Sequence, residues 1–224
     1  MLQPATLQFL KQLKKNNNKP WFDAHRGAYD EAKKDFGNFI QQVLDAHAKK
    51  DEDLRTLQAK DCLFRINRDI RFAKDKTPYK TNLGASLDRG GKKSIFAGYY
   101  IQCEPGNSFI GGGLWMPEAH NLKKVRQEID YGWDEFRKIV QQKAFVNQYG
   151  ELTKAEYSLS SVPKGYEKEN PAAEYLKLKS YIAFRSVSDA ELTDKGLLKT
   201  TLKAFDALQP LLGFINRALA HDEE

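Results

Sequence analysis

The chain has 224 residues, of which 41% are apolar, 29% charged and 12% aromatic, with a net charge of +6. That length and mix exclude wholesale disorder, and a chain this long buries roughly 70% of its unfolded surface, so it needs neither a disulfide nor a metal to fold. Cys62 and Cys103 form no CxxC pair and read as reduced core thiols, no apolar run approaches the ~20 residues of a membrane span, and with no leader-like start the expected location is the cytoplasm.

In chain order, Leu7, Leu10 and Lys14, with Phe9 and Leu13 beside them, predict an amphipathic helix over 6–15. Asn16-Asn17-Asn18-Lys19-Pro20 stops it. A long helix is expected over 21–49, where Phe22, His25, Tyr29, Ala32, Phe36, Phe39, Ile40, Val43 and His47 recur every three or four residues and face the core. Both cysteines fall in runs that read as strands, Cys62 to Ile66 and Ile95 to Cys103. Leu83 to Leu87 reads as a third strand and Ser108 to Trp115 as a fourth. Glu104-Pro105-Gly106-Asn107 has the chemistry of a type II turn, so 95–103 and 108–115 are expected to form an antiparallel hairpin. Gly111-Gly112-Gly113 matches no phosphate-binding fingerprint and predicts close approach of another backbone or a ligand. Helices are expected over 117–129, 133–142 and 171–176, an irregular stretch over 157–170, a strand over 181–187, and a final helix over 194–219 that Pro210 should kink or split. Strands in the middle with long helices near both ends predict a single α+β domain, residues 1–224, on a mainly antiparallel sheet of about four to six strands.

The densest chemistry lies between Lys60 and Asn82. Seven cations (Lys60, Arg65, Arg68, Arg71, Lys74, Lys76 and Lys80) accompany three anions (Asp61, Asp69 and Asp75), a local balance of +4. Asn67, Thr77, Tyr79, Thr81 and Asn82 add neutral hydrogen-bonding groups, and Pro78 stiffens the segment. Arginine suits two-pronged contacts to phosphate or carboxylate, and lysine adds a compact charge. The functional reading is an anion-binding loop. The bland one is a solvated loop that neutralises itself through Arg68 with Asp69 and through Lys74, Asp75 and Lys76. Arg65, out of phase with Phe64 and Ile66, should point to the less apolar face, with Arg68 and Arg71 on the loop beyond it.

The run from Phe64 to Asn82 resembles the signature of domain-of-unknown-function family 2461. Asn18-Lys19-Pro20-Trp21-Phe22 with Arg26 and Tyr29, Gly98-Tyr99-Tyr100 through Pro105-Gly106 to Trp115, and Pro163-Lys164-Gly165-Tyr166 with Pro171 and Leu176-Lys177 are similar to the same family, so the resemblance spans about 7–219. It implies a shared fold and a shared special loop, and it carries no activity with it. His25 departs from it, since relatives more often carry Asn there, so the resemblance gives His25 no general-base role.

Trp21 and Arg26 at a helix start could stack a flat ring and hold a phosphate, or Trp21 could simply anchor the helix with Tyr29 in the core. Asp69, Asp75 and Glu104 are the weak candidates for acid–base or metal-ligand roles, Glu104 reading more simply as a turn residue. His25, His47, His120 and His221 share no ligand spacing, so neither metal nor cofactor is expected. Three functions stay open. The first is binding of a small phosphorylated or other anionic ligand by Arg65, Asn67, Arg68, Arg71, Lys74, Lys76, Tyr79, Lys80 and Asn82 with Trp21 and Arg26. The second is catalysis on a phosphate-bearing or nucleic-acid substrate, and the third a structural or partner-binding role. A small anion is favoured over nucleic acid because the lysines alternate with aspartates.

Overall fold

The computed structural model describes residues 1–154 and 158–220; Tyr157, where the irregular stretch was expected to start, and His221 lie outside them. It is an α+β fold with one four-stranded antiparallel sheet in the order β1-β2-β3-β4, where β1 is Leu83–Leu87, β2 Gly98–Cys103, β3 Ser108–Leu114 and β4 Tyr181–Val187. Among the described residues the helices are α1 (Pro4–Lys15), α2 (Lys19–Ala24), α3 (Arg26–His47), α4 (Ala59–Cys62), α5 (Ala119–Tyr131), α6 (Trp133–Gln141), α7 (Lys143–Tyr149), α8 (Ala173–Leu176), α9 (Asp189–Leu192) and α10 (Leu197–Ala220). None is long and apolar enough to cross a membrane. The chain groups into two compact units.

The first unit takes in Met1–Lys92, Tyr100–Ile110 and Ser186–Lys203. Leu7, Leu10 and Leu13 of α1 and Phe36, Ile40 and Val43 of α3 are buried, so the two helices meet along the stripe that their spacing predicts. Burying each such side chain contributes about 1.5–3 kcal/mol. Asp35 fastens the pair, accepting the Gln3 N–H at 2.9 Å and the Thr6 hydroxyl at 2.6 Å. The helix expected over 21–49 is instead two, broken at His25 (φ −113°, ψ 21°). Asn18 caps α2 by accepting the Trp21 N–H at 3.0 Å. At the break the His25 ring lies flat on Trp21, 4.0 Å between centroids.

The expected strand from Cys62 to Ile66 is a second correction. Asp61 accepts the Gln58 N–H at 3.0 Å, a cap that winds Ala59–Cys62 into a helical turn ending in the buried Cys62. The chain becomes extended only at Leu63, which bridges Ala85, and Asn67 bridges Tyr79 further on. Leu63 to Asn67 spans fewer residues than Tyr79 to Ala85, so the register shifts between the bridges and no regular strand forms. The hairpin forms as expected. Asn107 N–H donates to Glu104 O at 2.8 Å, and Gly106 takes the φ of +77° that a type II turn requires.

The second unit holds the described residues of Lys93–Tyr99, Gly111–Arg185 and Ala204–Glu224. Its core includes Phe136, whose ring meets those of Tyr175, Tyr181 and Phe214, and Tyr99, which stacks on Phe205 at 4.2 Å. β2 begins at Gly98 and not at Ile95. The Asn216 amide pairs with the backbone of Ala97, accepting its N–H at 2.8 Å and donating to its O at 3.0 Å, and so stands in for a neighbouring strand there. The three glycines answer to backbone approach. A Cβ at Gly112 would lie 2.1 Å from Gly98 O, and one at Gly113 2.0 Å from Tyr181 O. Pro210 does not split α10; it sits on the exposed side, where a lost helical hydrogen bond is tolerated best.

Candidate functional site

Residues 63–85 form an irregular two-stranded ribbon whose outer part is the basic loop. Phe64 N–H donates to Gly84 O at 3.0 Å, Lys80 N–H to Ile66 O at 2.8 Å and Arg68 N–H to Pro78 O at 2.9 Å. The ribbon is fastened at Tyr79. The Asn17 side chain pairs with that residue's backbone as a peptide would, accepting its N–H at 3.1 Å and donating to its O at 2.9 Å. The Tyr79 ring stacks on Phe22 at 4.0 Å. Tyr79, a predicted ligand contact, is therefore a buried anchor.

Beyond Tyr79 the loop is braced by pairs that sequence neighbourhood does not give. Arg68 binds Asp75 and Thr77, and Arg71 makes a two-pronged contact with Asp69, Nε–Oδ1 3.0 Å and Nη2–Oδ2 2.7 Å. The Thr77 N–H, then Arg68, then the Thr77 hydroxyl hold the Asp75 carboxyl down at about 2, and Arg71 holds Asp69 below the usual range. Both carboxylates are thus kept ionised and occupied, which suits bracing and not proton donation. Lys76 donates to Ile70 O at 3.0 Å. Lys74, Asn67 and Arg65 are exposed, and Phe72, at the loop's outer part, is 94% exposed.

Arg65 and Lys80 differ from the other loop cations. Lys80 is half-buried with its ammonium 5.2 Å from the centroid of the Phe64 ring. Burial, and after it the charge of Arg65, holds the lysine below its ordinary pKa. Among the described residues neither cation has a carboxylate at ion-pair distance. Arg65's charge also reaches Asp69, whose hydrogen bonds go to Arg71.

Next to this pair is the face of the sheet turned away from the core. Strand alternation buries Tyr99, Ile101 and Cys103 and leaves Tyr100, Gln102 and Glu104 on the other side. A Cβ at Gly84 would lie 2.7 Å from the Tyr100 hydroxyl, so the glycine makes room for that side chain. Asn82 Nδ2 donates to Gln102 Oε1 at 3.2 Å, and Tyr100 packs at 6.3 Å from Phe64 and 5.7 Å from Phe109. Burial pushes the Tyr100 hydroxyl up to about 12, so it stays protonated. Glu104 closes the set, accepting from Thr81 at 2.8 Å and from Gln102 and Asn107 at 3.0 Å each, which makes it a fastener of turn to ribbon.

The structure therefore brings Lys80 and Asn82 beside Phe64, Tyr100 and Gln102, with Arg65 near enough for its charge to act on Lys80. It sets Arg68, Arg71, Asp69 and Asp75 to bracing the loop. Trp21 and Arg26 contact their own neighbours: Trp21 lies against Phe9 and His25, and Arg26 lies over Phe22 and Tyr29 at 5.7 Å. Phe64, Tyr100 and Gln102 are platform residues the sequence reading did not single out, although alternation along Gly98–Cys103 marks the last two. Among the described residues no three His, Cys, Asp or Glu side chains are grouped to hold a metal ion.

No curated protein and no solved structure matches the chain. A family model described as "Conserved hypothetical protein (DUF2461)" matches residues 5–214, which take in the ribbon, the loop and the whole sheet, and the chain belongs to that family.

Proposed function

We propose that the protein binds a small anionic ligand, a phosphate or phosphate ester, on the platform beside the ribbon, with Arg65 and Lys80 as its charged contacts. The observation that carries this is the unmatched cation pair. Two like charges near one another, one of them half-buried, are disfavoured until an anion joins them. Bracing by Asp69 and Asp75 supports the reading, since it holds the loop in one conformation before a ligand arrives. It also narrows the ligand contacts: Arg68 and Arg71 are scaffold, and Asn67 and Lys74 are free to add to them.

Titration calorimetry with inorganic pyrophosphate tests this. Saturable one-to-one binding is expected, weakened about tenfold or more by Arg65→Ala and by Lys80→Met, because a hydrogen bond to a charged group contributes about 1.5–3 kcal/mol. The Lys80 pKa should rise on binding. An unaltered affinity in both variants would defeat the proposal.

A further inference from the structure

The cations are not alone on the platform. Half-buried Phe64, Tyr100 and Phe109 adjoin them, and Asn82 brings an amide to the same place, while Gln102 is taken up by Asn82, Tyr100, Glu104 and Asn107 and holds that amide in position. An anion without an organic part would make no use of the aromatic rings or of the Asn82 carbonyl. A sugar phosphate would use that carbonyl, with little for the rings. A flat heterocycle carrying a phosphate uses all three, since aromatic side chains stack on its face, the Asn82 carbonyl meets its edge and the cations take the phosphate. Asn82 Oδ1 accepts no hydrogen bond among the described residues, so it is available to a ring amine. A polynucleotide would need more cations than this. The platform has Arg65 and Lys80, while Arg68 and Arg71 are occupied by Asp75 and Asp69.

Building on the anion reading, we propose that the ligand is a free mononucleotide, its base against Phe64 and Tyr100, its phosphate between Arg65 and Lys80.

Affinities for adenosine monophosphate, ribose 5-phosphate, phenyl phosphate, inorganic pyrophosphate and a single-stranded oligonucleotide test it. The nucleotide should bind roughly tenfold or more tightly than ribose 5-phosphate, the order expected from stacking one base on aromatic side chains. Phe64→Leu and Tyr100→Leu should remove that advantage, weakening the nucleotide by about tenfold more than they weaken pyrophosphate; an equal loss for both ligands overturns the stacking. If either variant fails to fold, upfield shifts of the base protons on binding to the natural sequence report the stacking directly. Equal affinity for ribose 5-phosphate, or phenyl phosphate binding as tightly as the nucleotide, overturns the inference while the anion reading stands. An oligonucleotide that binds more tightly than the nucleotide, with a steep loss of affinity on raising salt, also overturns it. No binding of any of these compounds overturns both.

Discussion

Two asparagines perform the same task in different places. Asn17 and Asn216 each use the side-chain amide as a peptide group, donor and acceptor together, to complete the backbone pairing of Tyr79 and of Ala97. The amide suits the task because it carries its donor and its acceptor on separate atoms side by side, as a peptide group does. At Tyr79 the consequence reaches the proposed site, since that residue fixes the ribbon that carries Arg65 and Lys80. Asn17→Ala strands a donor and an acceptor beside a buried ring, at a cost of about 1–3 kcal/mol. Denaturant melts should show that loss, and hydrogen exchange at the Tyr79 amide should speed up more than at core amides of β1. A melt within about 0.5 kcal/mol of the unsubstituted protein would show that the pairing does not anchor the ribbon.

At the level of the element, the loop's arginines divide by role. Arg68 is 27% exposed and bound to Asp75 and Thr77, while Arg71 is 75% exposed, paired with Asp69 and otherwise lying, among the described residues, only over the exposed Phe72 ring. Arg71→Ala should therefore change stability by no more than about 0.5 kcal/mol, the usual range for surface positions. Arg68→Ala should cost about 1–2 kcal/mol, because it frees Thr77 and Asp75 and so loosens the loop's closing turn. Equal melts for the two variants would contradict the division. The hairpin was legible in the sequence because everything that makes it is local: alternation in 98–103, the turn residues of 104–107, and glycines where a Cβ has no room. The helical turn at 59–62 was not, because a short apolar run gives no period and the cap at Gln58 and Asp61 decides it. The pairing of Arg68 with Asp75 was hidden for a related reason: adjacency suggests Asp69, and only the folded loop brings position 75 round. Likewise Tyr100 and Gln102 join Asn82 through the register of β1 against β2, which no single segment contains.

For the molecule as a whole, a buried carboxyl outside the platform gives stability a pH dependence. Asp88, at the end of β1, is 8% exposed and its pKa is raised to about 7 by burial, although Ser86 Oγ donates to both of its oxygens at 2.9 Å. Asp88 acts on the buried Cys62 thiol, which burial, followed by the charge of Asp88, pushes up to about 12, so that this neighbour is neutral. The sign follows from proton counting. Between about pH 4 and pH 7 the unfolded chain releases the Asp88 proton and the folded chain keeps it, so stability falls as pH rises through that window and levels off above it. Three pK units correspond to roughly 4 kcal/mol at most. Asp69 and Asp75 have the opposite sign, with stability present above the ordinary carboxylate range and lost as pH falls through their lowered values, but both are solvent-screened on the loop. Asp88→Asn keeps a partner for Ser86 and has no charge to bury. Urea melts between pH 5 and pH 8 should show stability falling with pH in the natural sequence and a much flatter profile in the variant, with the variant the more stable of the two at pH 8. The same fall with pH in the variant would place the dependence on another group.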